Sequence, residues 1–243
     1  MIIDGRKIAD EITRNLSLKA QEFKSLTGRV PKLAIILVGD DEASKIYVNL
    51  KIKKAQEIGI ETEVRTDLNT DADGIIVQLP GPEELVKKIP LEKDVDGLRE
   101  NSPFLPATVR AVLRILDPAR MTGTIVIVGQ GRLIGKPLAD FLERDGKTVI
   151  RCDQTTKDLR IITKQADVLV VATGVENLIT ADMVKKGAIV IDCGAPKAEV
   201  DFPAVARIAG AITPVPGGIG PLTVVSLLEN LVEATYNTLH EGR

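Results

Sequence analysis

Tyr47 and Lys51 stand one helical turn apart in residues 42–58, a stretch of good helix formers with neither glycine nor proline before Gly59. At that spacing a phenol and an amine share one helix face. At the mouth of an open α/β sheet such a pair can stack on a flat substrate and move a proton. An ordinary amphipathic helix with a snorkelling lysine satisfies the same spacing, so partners elsewhere in the chain decide between the two. The one histidine, His240, lies near the C-terminus. Acid–base chemistry therefore falls to Lys, Tyr, Asp or Glu.

A second constellation follows the β-rich run 124–128. Gly129, Gly131 and Gly135 are spaced G-x-G-x-x-x-G, one residue longer than the usual dinucleotide fingerprint, with Gln130 and Arg132 between them. Glycines let backbone amides approach phosphate, and the N-terminus of the following helix favours its charge. Asp153 closes the next apolar run. An acid there accepts from a ribose 2′-hydroxyl, which favours NAD over the 2′-phosphate of NADP; Arg132 and Arg151 are near enough in sequence to offset it, and capping of a loop is the plainer alternative. Further strands ending in Thr173-Gly174 and Cys193-Gly194 reinforce a nucleotide-binding reading.

The elements that must hold these groups are legible in outline. Residues 5–26 carry helical periodicity, 33–38 read as a buried strand, 61–66 and 74–79 as two more, 83–88 as a short helix, 93–97 as a polar loop and 108–116 as a helix stopped near Pro118. Only residues 67–73 separate the second and third strands, too few for a crossover between parallel neighbours. Either the two pair antiparallel, or they are not neighbours, or 61–66 is not a strand. From Gly123 a strand–helix rhythm sets in, with strands 124–128, 148–152, 168–172 and 188–192 and helices to about 143 and over 181–185. It argues for a doubly wound parallel sheet with its ligand crevice at the carboxyl ends of the strands. The proline- and glycine-rich residues 213–223 read as a rigid loop, and 224–239 as a final amphipathic helix that could return to the first domain.

Bulk properties narrow the class. The 243 residues suffice for two domains, with 44% hydrophobic and 27% charged residues. With 32 basic residues against 34 acidic ones, a net charge of -2 and only 2% aromatics, neither a nucleic-acid nor a membrane partner is expected. Apolar runs are strand-length. No signal peptide is visible and the two cysteines suit a reducing compartment, so a cytoplasmic location is expected. No metal site is expected.

Four segments together carry a family resemblance: Ala43-Ser44-x-x-Tyr47-x-x-x-Lys51; Asp73-Gly74-Ile75-Ile76-Val77-Gln78-Leu79-Pro80; Lys93-Asp94-Val95-Asp96-Gly97; and Pro216-Gly217-Gly218-Ile219-Gly220-Pro221-Leu222-Thr223. In that order the chain resembles the bifunctional methylenetetrahydrofolate dehydrogenase/methenyltetrahydrofolate cyclohydrolase family, a multifunctional oxidoreductase and hydrolase of one-carbon metabolism. The resemblance implies two α/β domains with a cleft between them, the second Rossmann-like. Residues 1–117 with 224–243 would bind folate and carry catalysis, and 118–223 would bind the dinucleotide. It makes Lys51 the catalytic amine, Tyr47 a stacking and positioning group, Gln78 the holder of Lys51 and Asp96 the acceptor for pterin N–H groups. Ser44, Pro216, Gly217 and Gly218 join the substrate site. Gly129, Gln130, Gly131, Arg132, Gly135, Arg151, Asp153, Thr173, Gly174 and Ile219 form the cofactor site. It implies NADP, with NAD possible given Gln130 and Asp153, a homodimer, tetrahydrofolate derivatives as ligands and a link to purine biosynthesis. The chain departs from the family where residues 67–73 leave no room for a usual helix and where 99–103 shorten a usual insert. A dehydrogenase without cyclohydrolase activity and a non-catalytic nucleotide-binding module are the alternatives.

Overall fold

The computed structural model describes residues 1–116 and 123–241, the last two by their backbone alone. The expected helix stop at Pro118, the expected boundary between residues 117 and 118 and the side chain of His240 lie outside the described residues. The chain forms two compact units, Ala9–Ala107 with Val224–Arg243, and Met1–Ile8 with Thr108–Thr223.

The first of these units is built on a three-stranded parallel sheet. Its strands are β1 (Lys32–Ile36), β2 (Glu61–Arg65) and β3 (Gly74–Val77), in the order β2-β1-β3. Leu33, Ala34, Ile35 and Ile36 are fully buried, as a central parallel strand covered on both faces must be. The order resolves the puzzle of the short link: β2 and β3 lie on opposite edges of β1 and are not neighbours. The link needs no helix. Asp73 accepts both guanidinium nitrogens of Arg29 (2.8 and 2.7 Å) and the backbone N–H of Lys32 (2.9 Å), while the Lys32 ammonium reaches Asp71. Helices α1 (Gly5–Thr27), α2 (Glu42–Ile58) and α3 (Glu83–Lys88) agree closely with the sequence reading.

The other unit contains α4 (Ala107–Ile115) and a five-stranded, wholly parallel sheet: β4 (Thr124–Val128), β5 (Thr148–Cys152), β6 (Val168–Val171), β7 (Ile189–Asp192) and β8 (Ala211–Ile212). Their order is β5-β4-β6-β7-β8. Successive strands leave β4 in opposite directions, so the switch point of this Rossmann-like sheet falls at the carboxyl end of β4, where the glycine loop leads into α5 (Gly135–Arg144). At the far edge Met1–Ile3 runs along β8, with Ile212 N–H donating to Met1 O (3.0 Å) and Ile3 N–H to Ile212 O (2.8 Å). That pairing groups the N-terminal residues with this sheet.

Three details differ from the sequence reading. Residues 181–185 make only a 3-10 turn, Ala181–Met183, because Val184 turns extended to bury its side chain under the sheet. The last helix, α8 (Ile219–Glu241), begins inside the proline–glycine segment, since Pro221 falls in the first turn, where a missing N–H costs nothing. The short helices α6 (Leu159–Thr163) and α7 (Phe202–Val205) and the two-residue β8 are too brief to leave a periodic signal. Among the described residues no helix is long and apolar enough to cross a membrane.

Candidate active site

Helix α2 is fixed at both ends. Asp41 caps its start, accepting from Ser44 N–H at 2.7 Å, and Gly59 ends it in the left-handed conformation with its N–H on the carbonyls of Ala55 and Gln56. The inward stripe of α2 is Ser44, Val48, Ala55 and Ile58. Lys51 falls between Val48 and Ala55 at the same heptad spacing, where an aliphatic residue would ordinarily pack. Its amine therefore does not snorkel. Lys51 Nζ donates to Gln78 Oε1 at 2.8 Å, and Gln78 Nε2 donates to Leu79 O at 2.8 Å. The second bond fixes the amide orientation, so that its oxygen faces the amine.

Gln78 follows β3 directly, its N–H on Ile36 O at 2.9 Å. Asp94 forms a parallel bridge with Ile75 and draws the following loop along the outer edge of β3. The fully buried Asp94 carboxylate accepts from Arg99 N–H (2.8 Å) and Leu98 N–H (3.4 Å). Asp94 therefore builds the loop, and Asp96 beside it is left for other work. Lys51, Gln78 and Asp96 thus gather at the carboxyl edge of this sheet. Burial pushes the Lys51 amine below its ordinary value, with the charge of Asp96 pulling the other way. Burial likewise raises the Asp96 carboxyl, opposed by Lys51 and assisted by Asp94. Tyr47, one turn before Lys51, is 38% exposed. Ser44 Oγ is buried beside the Asp41 carboxylate, and the Ser44 hydroxyl and N–H hold that carboxyl below its ordinary value.

Asn230 was invisible as a site residue in the sequence. It is fully buried on α8, and its Nδ2 donates to Val95 O (2.9 Å) and Leu105 O (3.0 Å), pinning the segment that carries Asp96. One amide inside the apolar run Leu227-Leu228-Glu229-Asn230-Leu231-Val232 was the available signal.

In the second sheet's unit the glycine loop has the geometry a dinucleotide requires. A Cβ on Gly135 would meet Gly129 O at 1.7 Å and one on Gly129 would meet Ala172 O at 2.1 Å, so both glycines serve close strand–helix packing. The Cβ position of Gly131 faces open space, and the loop delivers the N-terminus of α5 there. These residues fit a nicotinamide dinucleotide. Gln130 Nε2 donates to Ile127 O (3.2 Å) and Gly129 O (3.3 Å), and Arg132 is exposed on the loop. Arg151, on β5, turns its guanidinium onto Glu143 and Asp140 of α5. Asp153 follows β5 and is exposed.

After β6, Thr173 N–H and Oγ1 both donate to Glu199 Oε2 at 2.6 Å, and Gly174 N–H to Oε1 at 2.9 Å. Glu199 is in turn held through its own N–H by Asp192 Oδ2 (2.9 Å), which also takes Val200 N–H (3.0 Å). Sequence reasoning passed over both carboxylates; an acid at the end of a fully apolar strand, as Asp192 is, was the cue. Among the expected substrate residues, Pro216, Gly217 and Gly218 form a turn against Gly5. Gly5 N–H donates to Gly217 O (3.0 Å), and a Cβ on Gly5 would meet Gly218 O at 1.9 Å. Ile219, buried, starts α8.

Residues 3–96 match the tetrahydrofolate dehydrogenase/cyclohydrolase catalytic domain, and residues 106–239 its NAD(P)-binding domain. The chain is 39% identical to the bifunctional protein FolD of Helicobacter pylori strain J99 over 283 positions, covering 100% of this chain and 98% of that one. The crystal structure of the bifunctional FolD methylenetetrahydrofolate dehydrogenase/cyclohydrolase from Campylobacter jejuni superposes with a TM-score of 0.92 at 36% identity, over 98% of this chain and 99% of that one. The Trypanosoma brucei methylenetetrahydrofolate dehydrogenase-cyclohydrolase, complexed with NADP and an inhibitor, gives 0.91 at 28% identity, over 98% of each chain. Matched in both domains and along its full length, the chain belongs to the tetrahydrofolate dehydrogenase/cyclohydrolase family.

Proposed function

We propose that the enzyme oxidises 5,10-methylenetetrahydrofolate to the 5,10-methenyl cation with NAD(P)+ and hydrolyses that cation to 10-formyltetrahydrofolate, with Lys51 as the proton-transfer group. The observation that carries this reading is the desolvated Lys51 amine hydrogen-bonded to Gln78 beside Asp96 at the sheet edge. A dinucleotide held on the Gly129–Gly131–Gly135 loop supplies the hydride acceptor. The chain's own residues bind and orient the folate: Tyr47 stacks on it and Asp96 accepts from pterin N–H groups. Ser44, in the first turn of α2 and held by Asp41, supports the same pocket.

In the hydrolytic step water adds to the methenyl carbon and must lose a proton. A neutral Lys51 Nζ takes it while Gln78 Oε1 holds the amine in place. Opening of the ring breaks the carbon–N5 bond as the carbinol C–O becomes the formyl C=O; the Lys51 ammonium returns its proton to N5, and the carbinol O–H proton is released to solvent. The lowered proton affinity of the amine supports this role, because a lysine at its ordinary value is almost wholly protonated at neutral pH. The same reading makes the protein a cytoplasmic homodimer whose product serves purine biosynthesis.

Purified protein incubated with methylenetetrahydrofolate and either NAD+ or NADP+ tests the reading, with reduced dinucleotide and methenyl species followed separately. Reduction followed by consumption of the methenyl species is expected. Methenyl that forms and decays only at its uncatalysed rate would leave a dehydrogenase alone, and no turnover with either dinucleotide would leave a binding module.

A further inference from the structure

We infer that this chain selects NAD over NADP, through Asp153 at the carboxyl end of β5 and through the diversion of Arg151 away from that point. The inference rests on the dinucleotide reading above and adds the identity of the cofactor.

Asp153 sits where the adenosine ribose of a dinucleotide on the β4–α5 loop is read. β5 pairs with β4 in register from Thr124↔Thr148 to Val128↔Cys152, and Gly129 N–H donates to Cys152 O at 2.8 Å, so the acid emerges level with the first loop glycine. Its hydrogen bonds within the described chain converge on one oxygen. Oδ1 accepts from Thr155 N–H (2.8 Å), Thr155 Oγ1 (2.7 Å) and Thr156 Oγ1 (3.4 Å). Oδ2 takes part in none of these three bonds, and on the exposed Asp153 it can accept from an incoming hydroxyl. Those same threonine contacts hold the carboxyl below its usual range and keep it ionised at neutral pH. An ionised carboxylate accepts from a ribose diol and repels a 2′-phosphate.

The cation best placed in sequence to offset that charge is engaged elsewhere. Arg151 makes a fork onto Glu143, Nε to Oε1 at 2.9 Å and Nη2 to Oε2 at 2.6 Å, and Nη2 also meets Asp140 Oδ1 at 2.6 Å. Such bidentate pairing fixes the guanidinium as well as neutralising it. Asp140 is shared with Lys136 at 2.8 Å, so that ammonium is drawn into the same cluster. Gln130, inside the glycine loop, commits its amide nitrogen to main-chain carbonyls, and its buried Oε1 has no hydrogen-bond partner among the described residues. The loop therefore carries at this position a neutral amide tied to the main chain, not a cation that could pair with a phosphate.

The experiment is calorimetric titration of the full-length protein with NAD+ and with NADP+, without folate, alongside steady-state kinetics with each. NAD+ is expected to bind at least about tenfold more tightly, the scale of one unmatched charged contact. Asp153→Ser is expected to narrow the ratio about tenfold by improving NADP+ binding. The double variant Asp140→Asn/Glu143→Gln, which frees Arg151, moves it the same way. Both changes should appear in KM with kcat little altered, a split that a general structural defect would not give. Equal or tighter binding of NADP+ by the unaltered protein would overturn the inference, and loss of that preference in Arg132→Ala would assign the 2′-phosphate to Arg132. Binding of neither dinucleotide would overturn the dinucleotide reading itself, and this inference with it.

Discussion

An amine withdrawn from water loses part of its affinity for a proton, and Lys51 is withdrawn at a position where α2 would otherwise bury an aliphatic chain. The cost falls on the fold. Lys51 is a cation whose folded value is depressed below 10.5, so the folded state binds its proton less tightly than the unfolded chain does. Its penalty is complete below the folded value and fades as pH rises toward 10.5. Asp96 is the opposite case, a carboxyl whose folded value is raised above 3.8. The stability it withholds is lost as pH climbs through the window from 3.8 to that raised value, and the loss persists at neutral pH. Asp96→Asn should therefore raise thermal stability at pH 7 while raising the folate KM by tenfold or more, about the strength of one charge-assisted hydrogen bond. Calorimetric melting and steady-state kinetics on one preparation read both effects. A less stable variant with an unchanged KM would contradict the assignment of Asp96 as a ligand held at an energetic cost to the fold.

At the scale of elements, the sheet edge is assembled from pieces of different legibility. The bounds of α2 were readable because Glu42–Ile58 is uninterrupted and its stop, Gly59, is the residue that tolerates a positive φ. β1 was readable as an apolar run. The neighbours of β2 were not, because strand order is a tertiary property and a seven-residue link is compatible with several topologies. The work of Asp94 was hidden as well: a carboxylate in a polar-looking loop reads as solvent-facing until the bridge to Ile75 shows it buried. Asn230 holds that loop from α8, and its donors face two carbonyls. Asn230→Asp keeps the shape but removes the donors. It should cost about 1–3 kcal/mol of stability, the range for leaving buried polar groups unpaired. It should also raise the folate KM more than it lowers kcat, because what is disturbed is the placement of Asp96. Denaturant unfolding with parallel kinetics checks both, and an effect on stability alone would reduce Asn230 to a packing residue.

For the whole molecule, the family was legible because four separated motifs occur in order, and the similarity found in both domains agrees with them. What motifs could not convey is where side chains turn. Arg151 reads in sequence as a cation beside the ribose and folds onto Glu143 and Asp140 instead. Thr173 and Gly174 read in sequence as cofactor-site residues, and nothing in the sequence signals that Glu199 holds their N–H groups. Ligand binding to the folded state alone must stabilise it, by about 2.7 kcal/mol at a hundred times the dissociation constant. NAD+ should accordingly raise the melting temperature more than NADP+ at equal concentration, and the order should reverse or level out in Asp153→Ser. Unchanged melting with both dinucleotides would contradict the fit of the glycine loop to such a ligand.

The role proposed for Lys51, held by Gln78, is proton transfer in the hydrolytic step. The most direct measurement is the rate of methenyltetrahydrofolate hydrolysis by Lys51→Met against pH, beside the unaltered enzyme. Lys51→Met should lose about 10²–10⁴-fold in hydrolysis, the usual contribution of a positioned acid–base group. The unaltered enzyme should show a rate that rises with pH through a value below 10.5, and the variant should lack that rise. Hydrolysis by Lys51→Met at the unaltered rate, with the same pH profile, would remove Lys51 from the proton transfer.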